Sequence, residues 1–391
     1  MKELPLSMSS TLKRSLKGLV LMVGAMVLAA CESTPDYDEP RNLVDFDSTG
    51  KIKRAWSRSI GSGQSESGAP LQMAIAPGRI YAAGYDGDVA AFDKDSGKRL
   101  WRVDVDAELT AGVGLGDGLI AVGTKEGEVI VVTDSDGTEL WRVSLDSESL
   151  VPPAIANGLV IVQQINGQVV ALKQADGTEV WRYESKIPKL TIRGTASPVV
   201  VGDVVLIGLA TGKLVALNTG NGQPRWESRV AIPRGKTELD RIVDIDATPL
   251  MHGDIILAVS YQGRITALNR GTGRPLWQRE ASSNYNIAKD SDQVYVTDPI
   301  GVVKAFRLAN GEQMWENDQM LYRNVGGPQE IDGAIAVVDY DGYLHLLSPE
   351  DGRFIARKNI GEATAPMLSD YQYLFVQTDD GDLEAYTVEV D

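Results

Sequence analysis

The side chains that most often carry chemistry are scarce in this chain and poorly spaced for it. There are two histidines, His252 and His345, in 391 residues, so zinc cages and hydrolase triads built on imidazole have almost nothing to draw on. His252 sits in a Met-His-Gly-Asp turn, and His345 occupies a strand position where sister segments place Ala, Ile, Val, Thr, Lys or Glu. Both read as bystanders, not as ligands or bases. The one cysteine, Cys31, excludes an intramolecular disulfide and a thiolate metal cage. Gly112-x-Gly114-x-Gly116-x-Gly118 lacks the dinucleotide spacing and runs into a strand pattern, where a bound phosphate needs a helix N-terminus. Asp93-x-Asp95-Ser-Gly97 and Asp134-x-Asp136-Gly137 look like the openings of calcium loops, but neither continues to the remaining ligands. The expectation is a protein that performs no chemistry, with no catalytic residue, no metal and no cofactor.

Charge narrows the partners. Lysine and arginine number 38 against 54 aspartates and glutamates, a formal net charge of −16. Residues 1–30 hold four of the cations, Lys2, Lys13, Arg14 and Lys17, and one anion, Glu3, so the remainder carries about −19. A surface this acidic, with no basic stripe, repels phosphate backbones, and nucleic-acid binding is excluded. Lys13, Arg14 and Lys17 precede an uninterrupted apolar stretch from Gly18 to Ala30. A basic head, a short apolar run and small residues at its end describe a signal peptide over residues 1–30, too short to span a bilayer comfortably. Its end, Leu28-Ala29-Ala30-Cys31, resembles the bacterial lipobox, in which the cysteine becomes the acylated first residue of the mature protein. Several acyl chains on Cys31 would give stable anchoring, which one chain does not. An ordinary signal peptide that happens to meet a cysteine is the alternative. The next residue is Glu32, not the aspartate associated with inner-membrane retention, which points to the outer membrane. Residues 31–50 are acidic, hold two prolines and show no sustained period, so they read as a lipidated flexible tether reaching roughly 60 Å.

The elements that would have to position any site emerge from self-similarity. Segments beginning at Gly87, Gly127, Gly167, Gly212, Gly263, Gly301, Gly342 and Gly381 align without gaps. Two places on stands Val, Leu or Ile. Ten places on, in the seven full copies, stand Gly97, Gly137, Gly177, Gly222, Gly273, Gly311 and Gly352, each preceded by Ser, Asp, Asn or Thr. That pairing is a hairpin turn needing positive φ. Four places further stands tryptophan in six copies, at 101, 141, 181, 226, 277 and 315, and Ala356 in the seventh. The strand between the glycines is apolar on both faces, as in Val129, Ile130, Val131 and Val132, so it lies in a sheet sandwiched between sheets. A further strand pair upstream makes four strands per unit. Stacked four-stranded units of about 40 residues are the blades of a β-propeller.

The chain is therefore expected to be all-β, a single eight-bladed β-propeller over residues 51–391. Trp56 has no preceding strands of its own, while the last copy ends at Asp391 with no tryptophan strand. The two fragments complement each other, and pairing the N-terminal strand with the C-terminal ones closes the ring without an orphan edge. The glycine spacings are 40, 40, 45, 51, 38, 41 and 39, so two consecutive units are longer. The additions fall in residues 187–196 and 232–247, both after the tryptophan strand. They must project from the same face, side by side. Neutral length drift could account for either alone; their adjacency and shared charged-aliphatic character favour a binding edge.

The repeat G-x-[VIL]-x-A-L-[DN]-x-x-[TS]-G-x-x-x-W resembles that of pyrroloquinoline-quinone dehydrogenases, which also form eight-bladed propellers. Those enzymes resemble one another further in a vicinal cysteine pair, calcium ligands and a catalytic aspartate. With Cys31 alone the pair is absent here, and no equivalent calcium set is found, so likeness of fold does not carry the chemistry. A resemblance that covers nearly the whole chain is to BamB-type lipoproteins of the bacterial outer-membrane barrel assembly machinery. It rests on the lipobox, the eight units and two signatures: Leu190-Thr191-Ile192-Arg193-Gly194, similar to L-x-L-R-G, and Asp240-Arg241-Ile242-Val243-Asp244-Ile245-Asp246-x-Thr248-Pro249, similar to D-R-x-x-D-x-D-x-T-P. Ile192 departs conservatively from the family's leucine. The resemblance implies a non-enzymatic scaffold, lipid-anchored to the periplasmic face of the outer membrane. It implies docking of the POTRA domains of BamA through Leu190, Ile192, Arg193, Asp244 and Asp246, with unfolded outer-membrane proteins as further candidate partners. Both signatures lie inside the two long loops. Each residue also has a plainer reading: the aspartates as acceptors of backbone N–H bonds, Arg193 as their partner, Leu190 and Ile192 as loop packing. A cell-envelope module for sugar or peptidoglycan, which would need an aromatic cluster at the channel mouth, and a quinoprotein-like dehydrogenase are the alternatives.

Overall fold

The turn glycine and the tryptophan of the repeat are two halves of one latch. Gly222 takes φ +69°, in the left-handed region, and a Cβ built on it would lie 2.5 Å from the Trp181 ring of the preceding blade. Glycine alone meets both demands. The indole rests on that turn and its Nε1–H donates to Thr219 O at 2.6 Å. All seven tryptophans make this bond to the corresponding turn of the next blade, Trp56 to Lys94 O at 3.0 Å and Trp315 to Pro349 O at 2.8 Å among them. The latch buries Trp56, Trp181, Trp277 and Trp315, half-buries Trp101, Trp141 and Trp226, and gives the one polar atom of each indole a partner.

The computed structural model describes residues 38–63, 71–192, 196–361 and 367–390. Cys31, the signal peptide and Arg193 lie outside them. The described residues form eight four-stranded antiparallel sheets, an eight-bladed propeller as the repeat predicts. Blades 1 to 7 take their strands consecutively from the axis outward; blade 4 uses Val199–Val201, Val204–Gly208, Lys213–Asn218 and Pro224–Arg229. Its second and third strands are buried on both faces, with Val205, Ile207, Leu214 and Val215 at 0 % exposure, because neighbouring blades cover each side. Each such side chain contributes about 1.5–3 kcal/mol by leaving water. Among the described residues the one helical turn is a 3-10 turn at Leu239–Arg241.

Blade 8 is composite. Leu368–Asp370, Tyr373–Gln377 and Asp382–Val390 come from the C-terminal end, and Gly50–Ser59 supplies the outer strand. Gly50 pairs with Val390 and Ser59 with Asp382, with a bulge between Arg54 and Trp56. The predicted closure explains Ala356. The third and outer strands of blade 8 come from opposite ends of the chain, so no turn joins them, and a tryptophan at 356 would find no turn carbonyl to bond. Gly50 closes on this spot instead: a Cβ there would lie 2.6 Å from Cγ2 of Ile355.

Strand direction alternates within a blade, so its connections sort onto two rims. Links from one blade to the next share a rim with the turns between second and third strands, hereafter the linker rim. Tyr261 N–H to Asp244 O at 2.9 Å and Tyr340 N–H to Arg323 O at 3.0 Å tie the two sets together. The turns bearing the latch glycines lie on the opposite, hairpin rim.

Residues 41–50, counted with the tether by composition, are bonded to the ring. Arg41 N–H donates to Leu321 O at 2.9 Å, and its guanidinium pairs with Asp318 at 3.2 Å. Arg357 Nη1 donates to Val44 O at 2.9 Å. Phe46 stacks on Phe354 with ring centroids 5.3 Å apart, and the Arg357 guanidinium lies 5.0 Å from the Phe46 ring centre. Thr49 N–H donates to Ile355 O at 3.0 Å. A buried network holds Arg357: its Nε donates to His345 Nδ1 at 3.1 Å, His345 Nε2 meets Asp339 Oδ2 at 3.1 Å, and Arg323 Nε donates to the same oxygen at 2.7 Å. That pattern fixes a neutral imidazole with its proton on Nε2. Burial, the largest influence, keeps the His345 pKa below its usual value against the pull of Asp339. Residues Arg41–Asp391 form one compact unit.

Candidate functional site

The two long loops leave the outer strands Glu179–Glu184 and Pro224–Arg229 and run to the innermost strands of blades 4 and 5. Both stand on the linker rim, adjacent to each other, as the spacing predicts. Their contact is direct: Ile192 N–H of the first donates to Asp244 Oδ2 of the second at 2.7 Å.

The second loop is pinned at its base and projects at its tip. Val243, Ile245 and Ala247 are buried, and Gly208 makes room for them, since a Cβ there would lie 2.8 Å from Ile245 O. At the tip the Asp240 carboxylate accepts the Lys236 and Thr237 N–H groups at 3.2 and 3.1 Å, while Thr237 Oγ1 accepts Asp240 N–H at 3.1 Å. This reciprocal cap presents Leu239, 65 % exposed, to solvent. On the first loop Leu190 is 44 % exposed and Ile192 is half-buried. Ile187 and Ile232 are exposed as well. The surface is aliphatic, set among the exposed cations Lys186, Lys189, Lys236 and Arg241. Sequence reasoning singled out Leu190 and Ile192 but missed Ile187, Ile232 and Leu239. Their signal was an aliphatic residue outside any strand period within an inserted loop.

Under this surface lie the two aspartates. Asp244 is fully buried, and its Oδ1 has no partner. Asp246 reaches the central channel, yet its Oδ2 is buried and also unpartnered. Burial pushes the Asp244 carboxyl up to about 6, against the opposing Ile192 N–H bond. Burial first, and then the negative charge of Asp244, hold Asp246 well above the usual carboxylate range. No described cation pairs with either, and carboxyls buried this way cost stability. Carboxyls displaced this way beside a channel mark a candidate functional site. Asp244 does accept a backbone N–H, as its plainer reading has it; Leu190, in contrast, is not loop packing. Arg193 lies outside the described residues.

Ile192 and Asp246 also line the mouth of the central channel, a cavity of about 780 Å³. Tyr285, whose OH donates to Asn324 Oδ1 at 3.1 Å, is the one aromatic among its described lining residues. The other motifs resolve into packing. Gly112, Gly114 and Gly116 press on the backbone of Gln72, Pro153 and Ile155 in neighbouring blades, where a Cβ has no room. Asp93 accepts Ser96 N–H at 2.9 Å and Asp136 accepts Thr138 N–H at 3.0 Å, as turn residues do.

A family model described as outer membrane protein assembly factor BamB matches residues 85–317. The chain is 46 % identical over 376 residues to the outer membrane protein assembly factor BamB of Pseudomonas aeruginosa, covering 95 % of this chain and 99 % of that protein. It is 32 % identical to that of Escherichia coli, over 85 % of this chain and 88 % of the relative. The crystal structure of BamB from Moraxella catarrhalis superposes with a TM-score of 0.79 at 31 % identity, covering 86 % of this chain and all of that one (100 %). Quinohemoprotein alcohol dehydrogenase from Comamonas testosteroni gives a TM-score of 0.67 at 13 % identity over 87 % of this chain and 76 % of that one, a likeness of fold alone.

Proposed function

The chain belongs to the BamB family of outer membrane protein assembly factors, and from that premise we propose that it is a non-enzymatic scaffold that docks the periplasmic POTRA domains of BamA while barrel proteins fold and insert. Acylation at Cys31 and residence on the periplasmic face of the outer membrane belong to the same reading. Unfolded outer-membrane proteins are further candidate partners.

The observation that carries the proposal is the joining of the two inserted loops into one exposed surface. The spacing arithmetic picks out two insertions, and they stand together on one rim, joined through Ile192 and Asp244, with Leu190 turned outward. An exposed aliphatic anchor over buried, incompletely satisfied carboxyls on a rigid ring suits recognition with little reorganisation. Among the described lining residues of the channel, a sugar-binding module would have Tyr285 alone to stack on.

The test is binding of the form that begins after Cys31 to the POTRA region of BamA from the same organism. Wild type would be run beside Arg193→Glu and Asp246→Ala variants of unchanged fold. Loss of binding in both variants is the expected result. Equal binding of all three would keep the partner and remove these residues from its interface; no binding by wild type would sink the proposal.

A further inference from the structure

We infer that residues 41–49 act as a strap delivering the membrane anchor to the linker rim, so that the rim carrying the two long loops is the one turned toward the bilayer. The inference rests on the acylation of Cys31 and the docking role of the loops proposed above.

The outer strand of blade 8 begins on the hairpin rim. Gly50 follows Thr49, whose N–H bonds Ile355 O close to the turn at Gly352. A tether joined simply at Gly50 would leave from the rim opposite the loops. Residues 41–49 reverse this. Val44 and Phe46 alternate inward against the core of blades 6 and 7, while Asp45 and Asp47 face solvent, so the segment runs extended along the outer wall. It ends at Arg41, bonded to Leu321 O and paired with Asp318. Both belong to the link from blade 6 to blade 7, the same step that the long loops occupy two and three blades earlier. Arg323 Nη1 closes the end by donating to Arg41 O at 3.2 Å.

The strand Phe354–Asn359 that the strap crosses has 6 residues, so the take-off point moves by about 20 Å at roughly 3.3 Å per residue. About ten residues separate Cys31 from Arg41, a contour of at most about 35 Å, against about 60 Å from Gly50. A partner held by the loops must then fit between this rim and the membrane surface within that reach. A small domain close to the bilayer fits; a partner deep in the aqueous compartment does not.

The experiment uses the acylated full-length protein reconstituted in phosphatidylethanolamine–phosphatidylglycerol vesicles carrying acceptor-labelled headgroups. Cys31 is consumed by acylation, so an introduced cysteine is the free thiol for a donor dye. Lys236→Cys places it on the linker rim and Asn221→Cys on the hairpin rim, beside the same blade. Energy transfer to the headgroups is expected to be several-fold stronger from position 236 than from 221. In the strap variant Val44→Ser/Phe46→Ser, with thermal unfolding confirming an intact ring, that ratio should fall to one or invert. Equal transfer from the two positions in the wild-type strap, or an unchanged ratio in the variant, would overturn the inference. Failure of the protein to float with the vesicles is a different result: it would remove the lipid anchor itself, and the inference with it.

Discussion

Replacing Asp244 by asparagine should make the propeller more stable at neutral pH. The folded carboxyl titrates at about 6, against an ordinary value of 3.8. A displacement of about two pH units corresponds to roughly 3 kcal/mol of differential interaction. The sign follows from proton binding. The folded state holds this proton more tightly than the unfolded chain, so the carboxyl costs nothing below about pH 4. Stability falls as the pH rises through about 6 and is level above it. Asparagine keeps an oxygen for the Ile192 N–H and carries no charge, so it removes the penalty and the slope together. Urea unfolding followed by tryptophan fluorescence at pH 4, 5.5 and 7.5 measures both. The variant should match wild type at the acid end and exceed it by up to about 3 kcal/mol at pH 7.5. Asp246→Asn should remove further slope of the same sign, because that carboxyl is displaced in the same direction. A wild-type midpoint constant across this range, or an Asp244→Asn variant weakened equally at every pH, would refute the reasoning.

Two further substitutions test the latch. Gly222→Ala and Gly202→Ala both place a side chain at positive φ, +69° and +62°, but Gly202 faces open space whereas Gly222 abuts Trp181. The second should cost about 1–2 kcal/mol from backbone strain alone, and the first about 1–3 kcal/mol more from overpacking; equal costs in urea unfolding would deny the latch its steric half. Ala356→Trp restores the repeat pattern yet should destabilise by about 1–3 kcal/mol, since its indole N–H meets no turn; a raised melting temperature would contradict the account of blade 8.

How much of this was legible in the sequence depends on whether a feature repeats. The latch pairs Gly97 with Trp56 and Gly222 with Trp181 by the same contact, so its spacing recurs and the blade count could be read directly. The closure was legible because Trp56 and the truncated copy at Gly381 are each half a unit. The loops showed as deviations from the period, and their common rim followed from strand alternation alone. What occurs once left no such trace. His345 reads as one variable strand residue among eight, and its burial between Asp339 and Arg357 depends on three positions scattered along blade 7. Ala356 looked like a lost tryptophan until the strand order showed that no turn faces it. Val44 and Phe46 alternate inward over too few residues for a period to be visible among the acidic positions around them.

The pairing of Gly50 with Val390 also has a kinetic meaning. An open array of blades would gain stability unit by unit, each depending on its neighbours alone. Here blades 1 to 7 each form from consecutive strands, but the outer strand Gly50–Ser59 must wait for Asp382–Val390, so blade 8 and the ring stay open until that strand is made. The Gly50–Val390 pairing joins positions 340 residues apart while the other strand pairs are neighbours in sequence, so closing the ring is predicted to be a slow, late step. Once made, the same contact removes the free edge from which unfolding of a linear array would begin. Persistence of the ring is then governed by the rate of opening one seam, between the two ends of the chain.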